Sequence, residues 1–137
     1  MDSDRQVPAS FGPRQPETST IVKRFDTPDR VVTFDNGRLE VITFGGRLIG
    51  RGSYGAGWRW SHVARLPARG ERPPDHIGVL LSGRAKVIIG EAEEIDLTPG
   101  DFFHIASEFD GWVVGQRPCE VLYINGVEAL INRLHRE

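Results

Sequence analysis

HIGVLLSGR at residues 76–84 and TPGD at residues 98–101 decide the fold of this chain. The first is an apolar run bounded by the loop-forming ARGERPPD at 68–75 and by Gly83, the pattern of a buried strand between two turns. The second sets a Pro-Gly pair before Asp101, whose carboxylate can cap the turn. On either side the chain continues as short β-rich runs: IVKRF (21–25), RVVTF (30–34), RLEVITF (38–44), RLIGRGSY (47–54), WRWSHVAR (58–65), RAKVIIG (84–90), EEIDL (93–97), DFFHI (101–105), GWVVG (111–115) and EVLYING (120–126). Turn signals separate them at Asp35-Asn36-Gly37, Gly45-Gly46 and Gly55-Ala56-Gly57. Roughly ten strands at this spacing, with no helical runs between them, predict an all-β sandwich or barrel and exclude a parallel α/β sheet. Only the end reads as helical, with Leu130, Ile131 and Leu134 on one face of a short helix.

The length of 137 residues fits one domain. Residues 1–19 carry prolines, Ser, Thr and scattered charge, which predicts a flexible arm before a single domain over 20–137. With 17 basic and 19 acidic residues the net charge is -2, and no like-charge block suits nucleic acid. No apolar run is long enough for a membrane span or a signal peptide, so the expected location is the cytoplasm. The single cysteine, Cys119, excludes an internal disulfide and reads as a buried strand residue.

The two deciding segments resemble the paired motifs of the cupins, the double-stranded β-helix superfamily. His76 to Gly83 resembles the second half of the first motif, G-x5-H-x-H-x3-4-E-x6-G, with His76 at the glutamate position. Thr98 to Asp101 resembles the turn that opens the second, G-x5-P-x-G-x2-H-x3-N. WRWSH (58–62), the H-x-G-x-x-L-S-G-R run, PGD and DGWVVG (110–115) together look like a group of small stand-alone bacterial cupins. The resemblance implies a cupin-type jelly-roll barrel with a short C-terminal helix and a homodimer formed through barrel edges.

This sequence departs from the cupin pattern where cupins hold metal. The two motif-one histidine positions fall on Arg69 and Glu71, or on Gly70 and Arg72, and the motif-two histidine on Gly111 or Phe109. The resemblance therefore implies a degenerate metal site, with no cofactor favoured. If a divalent metal (Fe, Mn, Zn or Ni) is bound, its ligands are expected to be His62, Glu71 and His76.

Strand alternation would place Trp58, Trp60, His62 and Ala64 on one face, an aromatic wall bearing one imidazole. These tryptophans are barrel core or pocket lining. His76 would share its face with Gly78 and Leu80, where the absent side chain of Gly78 leaves space for a ligand or another backbone. His76 is the preferred polar pocket residue, with a satisfied core histidine or a metal ligand as the other readings. His62 is its partner in the candidate catalytic pair. Trp58, Trp60, Gly78, Phe103, Asp110 and Trp112 are the candidate ligand-binding residues, although Asp110 beside Trp112 also suits a turn anchor. His104 reads as a second-face pocket residue or a surface histidine, and His135 as solvated.

The expected function is a pocket for a small, partly apolar metabolite, with metal-independent acid/base chemistry of the isomerisation, cyclisation or elimination class. The alternatives are a metal-dependent oxygenase or isomerase with the reduced ligand set, and a ligand-sensing or interaction module.

Overall fold

A computed structural model describes residues 19–135; the expected arm, apart from Ser19, lies outside the described residues. The elements are β1 (Arg30–Phe34), β2 (Gly37–Phe44), β3 (Arg47–Tyr54), α1 (Trp60–Val63), β4 (His76–Ser82), β5 (Ala85–Ile88), β6 (Ile95–Leu97), β7 (Phe102–Ile105), β8 (Asp110–Val113), β9 (Cys119–Asn125) and α2 (Val127–Arg133). All strand pairs are antiparallel, in a six-stranded sheet of order β1-β2-β3-β9-β4-β7 and a three-stranded sheet of order β6-β5-β8. The two sheets form the expected jelly roll around one core, but they face each other as separate sheets and do not close into a continuous ring of strands.

The period-2 pattern carries most of this architecture. Along β3, Gly50, Gly52 and Tyr54 face inward while Arg51 faces outward; along β9, Cys119, Val121 and Tyr123 face inward. Leu39, Val41, Leu80, Val127 and Ile131 are almost completely sealed, each contributing about 2 kcal/mol of apolar burial. The hairpin at Asp35-Asn36-Gly37 forms as expected, with Asn36 at φ 61° and Gly37 paired with Phe34. At the Thr98–Asp101 turn, the Asp101 carboxylate accepts from the Thr98 backbone N–H (2.8 Å) and hydroxyl (3.1 Å). Leu80 then bonds both ways across the turn, to Gly100 and Asp101, and so fixes it to β4.

Two runs read as strands are not strands. IVKRF leaves Ile21 and Val22 exposed and attaches through side chains instead: the Lys23 ammonium donates to Asp29 and to the Thr43 carbonyl, and Phe25 lies beneath the Arg51 guanidinium. WRWSHVAR turns into α1 because the Asp110 carboxylate, from β8, accepts from the Ser61 N–H (3.0 Å) and Arg59 Nε (2.7 Å). A carboxylate at a helix start satisfies backbone donors that a strand would have paired along its edge. The expected C-terminal helix is α2, and it closes one end of the core with Leu130, Ile131 and, just beyond it, Leu134. No helix among the described residues is long and apolar enough to cross a membrane.

Candidate functional site

Between the sheets lies a cavity of about 70 Å³, walled mainly by aromatic and aliphatic side chains. As it stands it holds a few water-sized molecules. A metabolite-sized ligand therefore requires lining side chains to move aside.

His76, at the start of β4, lines this cavity and is 3% exposed. Its ring lies among Phe109, Tyr123 and Phe103, at centroid distances of 5.4, 5.8 and 5.9 Å. Nδ1 is 2.7 Å from the Pro74 carbonyl, which can only accept, so Nδ1 carries the proton and the neutral ring keeps a lone pair on Nε2. Burial pulls the imidazole below its ordinary value of 6.5, opposed by the Pro74 hydrogen bond and the Asp75 charge. His76 is therefore a neutral acceptor near pH 7, in the protonation state of a general base.

Because the folded pKa is lowered, the unfolded chain binds more protons below about pH 6.5. The stability contributed by neutral His76 is fully present above that pH and is lost as pH falls through the folded value. We expect the melting temperature to decline on acidification from about pH 7 to 5, and His76→Gln to flatten this part of the profile. An equally steep decline in the variant would assign the effect to other groups.

The polar group that sequence reasoning missed is a tyrosine pair. The hydroxyls of Tyr54 and Tyr123 lie 2.6 Å apart, both on cavity-lining residues. Burial raises both phenols, Tyr123 to about 12, so the pair stays protonated and can donate. Gly52 makes room for it, since a Cβ there would lie 2.2 Å from the Tyr54 hydroxyl. Tyr123→Phe is expected to cost about 1–2 kcal/mol by stranding the Tyr54 hydroxyl, and Tyr54→Phe/Tyr123→Phe together to cost less than that. Urea denaturation of the three variants measures the difference; a double variant as unstable as the sum of the singles would show that the hydrogen bond is not what matters.

The structure separates the remaining predicted residues. Trp58, Trp60, Phe103 and Trp112 line the cavity. Trp60 stacks on Phe109 at 5.0 Å, and Trp58 packs against Tyr54 at 4.2 Å. His62 does not join them: helical rather than extended backbone turns it outward, and it is exposed. Gly78 does not border the cavity, because the space beside it is filled by Phe103 and Tyr123, at 2.8 and 3.1 Å from a Cβ built there. Asp110 anchors α1 and salt-bridges Arg59, whose guanidinium covers Trp112 at 4.3 Å. Cys119 also borders the cavity, with its thiol donating to the Arg84 carbonyl. His104 is exposed and bonds Asp75 at 2.8 Å.

The residues at the motif positions do not fit a metal. Phe109 offers only a ring, stacked on Trp60, and Gly111 has no side chain. The Glu71 carboxylate is taken by a two-pronged Arg65 contact (2.8 and 2.9 Å) and by the Ala68 N–H, which hold its pKa at about 2. Among the described residues no three His, Cys, Asp or Glu side chains are grouped to hold an ion, so His62, Glu71 and His76 do not assemble as the expected ligand set.

No family model and no curated protein sequence matches the chain. Among solved structures, it is similar to ectoine synthase from P. lautus, with a TM-score of 0.56, 11% identity, and coverage of 86% of this chain and 90% of that one. It is also similar to a cupin-2 domain from Rhodospirillum rubrum, with a TM-score of 0.53, 18% identity, and coverage of 97% and 81%. Likeness at these identities shows the fold, and the fold is that of the cupins.

Proposed function

We propose that the cavity binds a small, partly apolar metabolite and that His76 carries out metal-independent acid/base chemistry on it, of the isomerisation, cyclisation or elimination class. The observation that carries this reading is the sealed imidazole at the cavity wall, with Nδ1–H committed to the Pro74 carbonyl and a basic Nε2 left over. A base in an apolar site, neutral at working pH, is the state that proton abstraction needs. Trp58, Trp60, Phe103 and Trp112 supply the contact area. His62 and Asp110, placed elsewhere, have no part in this reading.

A metal-dependent oxygenase or isomerase is disfavoured by the scattered ligand set. A ligand-sensing module would use the same cavity without turnover, and a cytoplasmic homodimer is the setting expected for either.

The test uses a small-molecule cell extract in D2O, incubated with the protein and followed by mass spectrometry. The expected result is a species that gains deuterium or loses water with the wild-type protein, at a rate lowered about a hundredfold or more in His76→Ala, the usual contribution of a general base. A species that is bound but unchanged would favour sensing. Conversion equally fast in folded His76→Ala would remove His76 from the chemistry.

A further inference from the structure

The indole Nε1–H of Trp58 is sealed from solvent, yet among the described residues it has no hydrogen-bond acceptor. Buried donors are rarely left this way, and one on a cavity-lining side chain points to a partner that enters the cavity. The Trp58 position is fixed independently of any ligand: its carbonyl accepts from the Val113 N–H at 3.0 Å, and its ring rests against Tyr54 and Phe34.

The ring packed against it, Tyr54, belongs to a second donor group. In a hydroxyl pair one tyrosine donates and the other accepts, so the Tyr54–Tyr123 pair retains one O–H proton that it does not use. The Tyr54 ring is 4.2 Å from the Trp58 ring, and the Tyr123 ring is 5.8 Å from the His76 ring, so Trp58, Tyr54, Tyr123 and His76 form one chain of neighbouring rings along an apolar cavity.

The lining also limits the ligand's charge. Among the described residues it includes no Asp, Glu or Arg, and the ammonium of Lys86 is bonded to Glu94 at 3.1 Å. A carboxylate or ammonium ligand would be desolvated here without a counter-charge.

We propose that the cavity selects uncharged ligands bearing a carbonyl oxygen, held by the Trp58 indole N–H and the spare hydroxyl proton of the tyrosine pair. A carbonyl oxygen has two lone pairs for the two donors and no proton of its own to place. This rests on the reading of the cavity as a ligand site, and it adds the chemical class of the ligand.

The probes are cyclopentanone and methylenecyclopentane, which puts CH2 where the ketone has oxygen. Their affinities are measured by NMR titration for the wild-type protein and Trp58→Phe, which keeps a ring and removes the N–H. The expected result is that both probes bind and that the ketone-to-alkene affinity ratio falls about tenfold in Trp58→Phe, equivalent to about 1.4 kcal/mol. A second readout needs no variant: the Trp58 indole N–H resonance, assigned through its contacts with the Tyr54 ring, should move downfield with the ketone and not with the alkene. If both probes bind but the ratio and the indole resonance do not respond, the carbonyl assignment is overturned and the cavity remains a ligand site. If neither probe binds, both readings are overturned together.

Discussion

Gly126→Ala is expected to lower stability by about 3 kcal/mol, or about 10 °C in melting temperature, although it adds a single methyl group. Gly126 precedes α2 at φ 79°, in the left-handed region where a Cβ is strained. A Cβ at this position would lie 2.1 Å from the Asp75 carbonyl oxygen, 2.6 Å from His76 Cα and 2.7 Å from His76 Cβ. Two of these atoms are backbone, at the point where the β4–β9 register shifts between Ile77 and Gly78, so a rotamer change cannot relieve the overlap. Either α2 or the start of β4 must move. Since β4 begins at His76, the substitution should also displace the imidazole and weaken ligand binding at temperatures where the variant is still folded. Thermal unfolding followed by circular dichroism measures the first effect; a change under about 2 °C would mean that the close approach of Gly126 to β4 is not a constraint in solution.

The strand order is legible in part because alternation and turn chemistry are local. RVVTF, RLEVITF and RLIGRGSY carry their own faces, and Asn36-Gly37 fixes the register between the first two. The same rule misplaces His62. The cause of the helix at Trp60 is Asp110, 49 residues beyond Ser61, and no window around WRWSH contains it. Once the backbone is helical, the face shared by Trp58, Trp60 and His62 no longer exists.

His76 was identifiable because β4 is a regular strand and because an imidazole heads an otherwise apolar run. The role of Gly78 was legible only as missing volume, and β7 decides what fills it by pairing Phe103 directly opposite. The tyrosine pair joins residues 69 apart in the sequence. Its one local sign is the spacing of Gly50, Gly52 and Tyr54, in which two inward positions lack side chains ahead of a long one. Missing side chains signal that bulky neighbours lie over the strand: at Gly52 the neighbour is Tyr54 itself, and at Gly50 it is Leu39 and Val127.

Arg133→Ala is expected to cost about 3 kcal/mol, in the range for truncating a large, fully buried side chain. Arg133 is the last residue of α2, and its side chain is 2% exposed. Both terminal nitrogens bond the Glu108 carboxylate, and Nε lies 3.4 Å from Glu71 without a hydrogen bond. Glu71 is gripped in turn by Arg65, which also bonds the Asn132 carbonyl at 2.9 Å. The backbone reinforces the tie, through Arg65 N–H to the Arg133 carbonyl and His135 N–H to the Val63 carbonyl, both at 2.8 Å. The network thus straps α2 to the segment after α1, and α2 supplies Leu130 and, just past it, Leu134 to the cavity wall. Removing Arg133 should loosen that wall as well as destabilise the fold. The partners are not equivalent, because the Glu108 side chain is 46% exposed and can be hydrated when its partner is lost. Glu108→Ala leaves the buried guanidinium without the carboxylate that pairs both of its terminal nitrogens and should therefore cost about 3 kcal/mol, whereas Arg133→Leu, which refills the volume without a buried charge, should cost less than Arg133→Ala. Urea unfolding of the three variants measures the ranking. If Glu108→Ala costs under about 1 kcal/mol, the guanidinium does not depend on that carboxylate; if Arg133→Leu is the most damaging, the guanidinium hydrogen bonds hold α2 and the packing of its side chain does not.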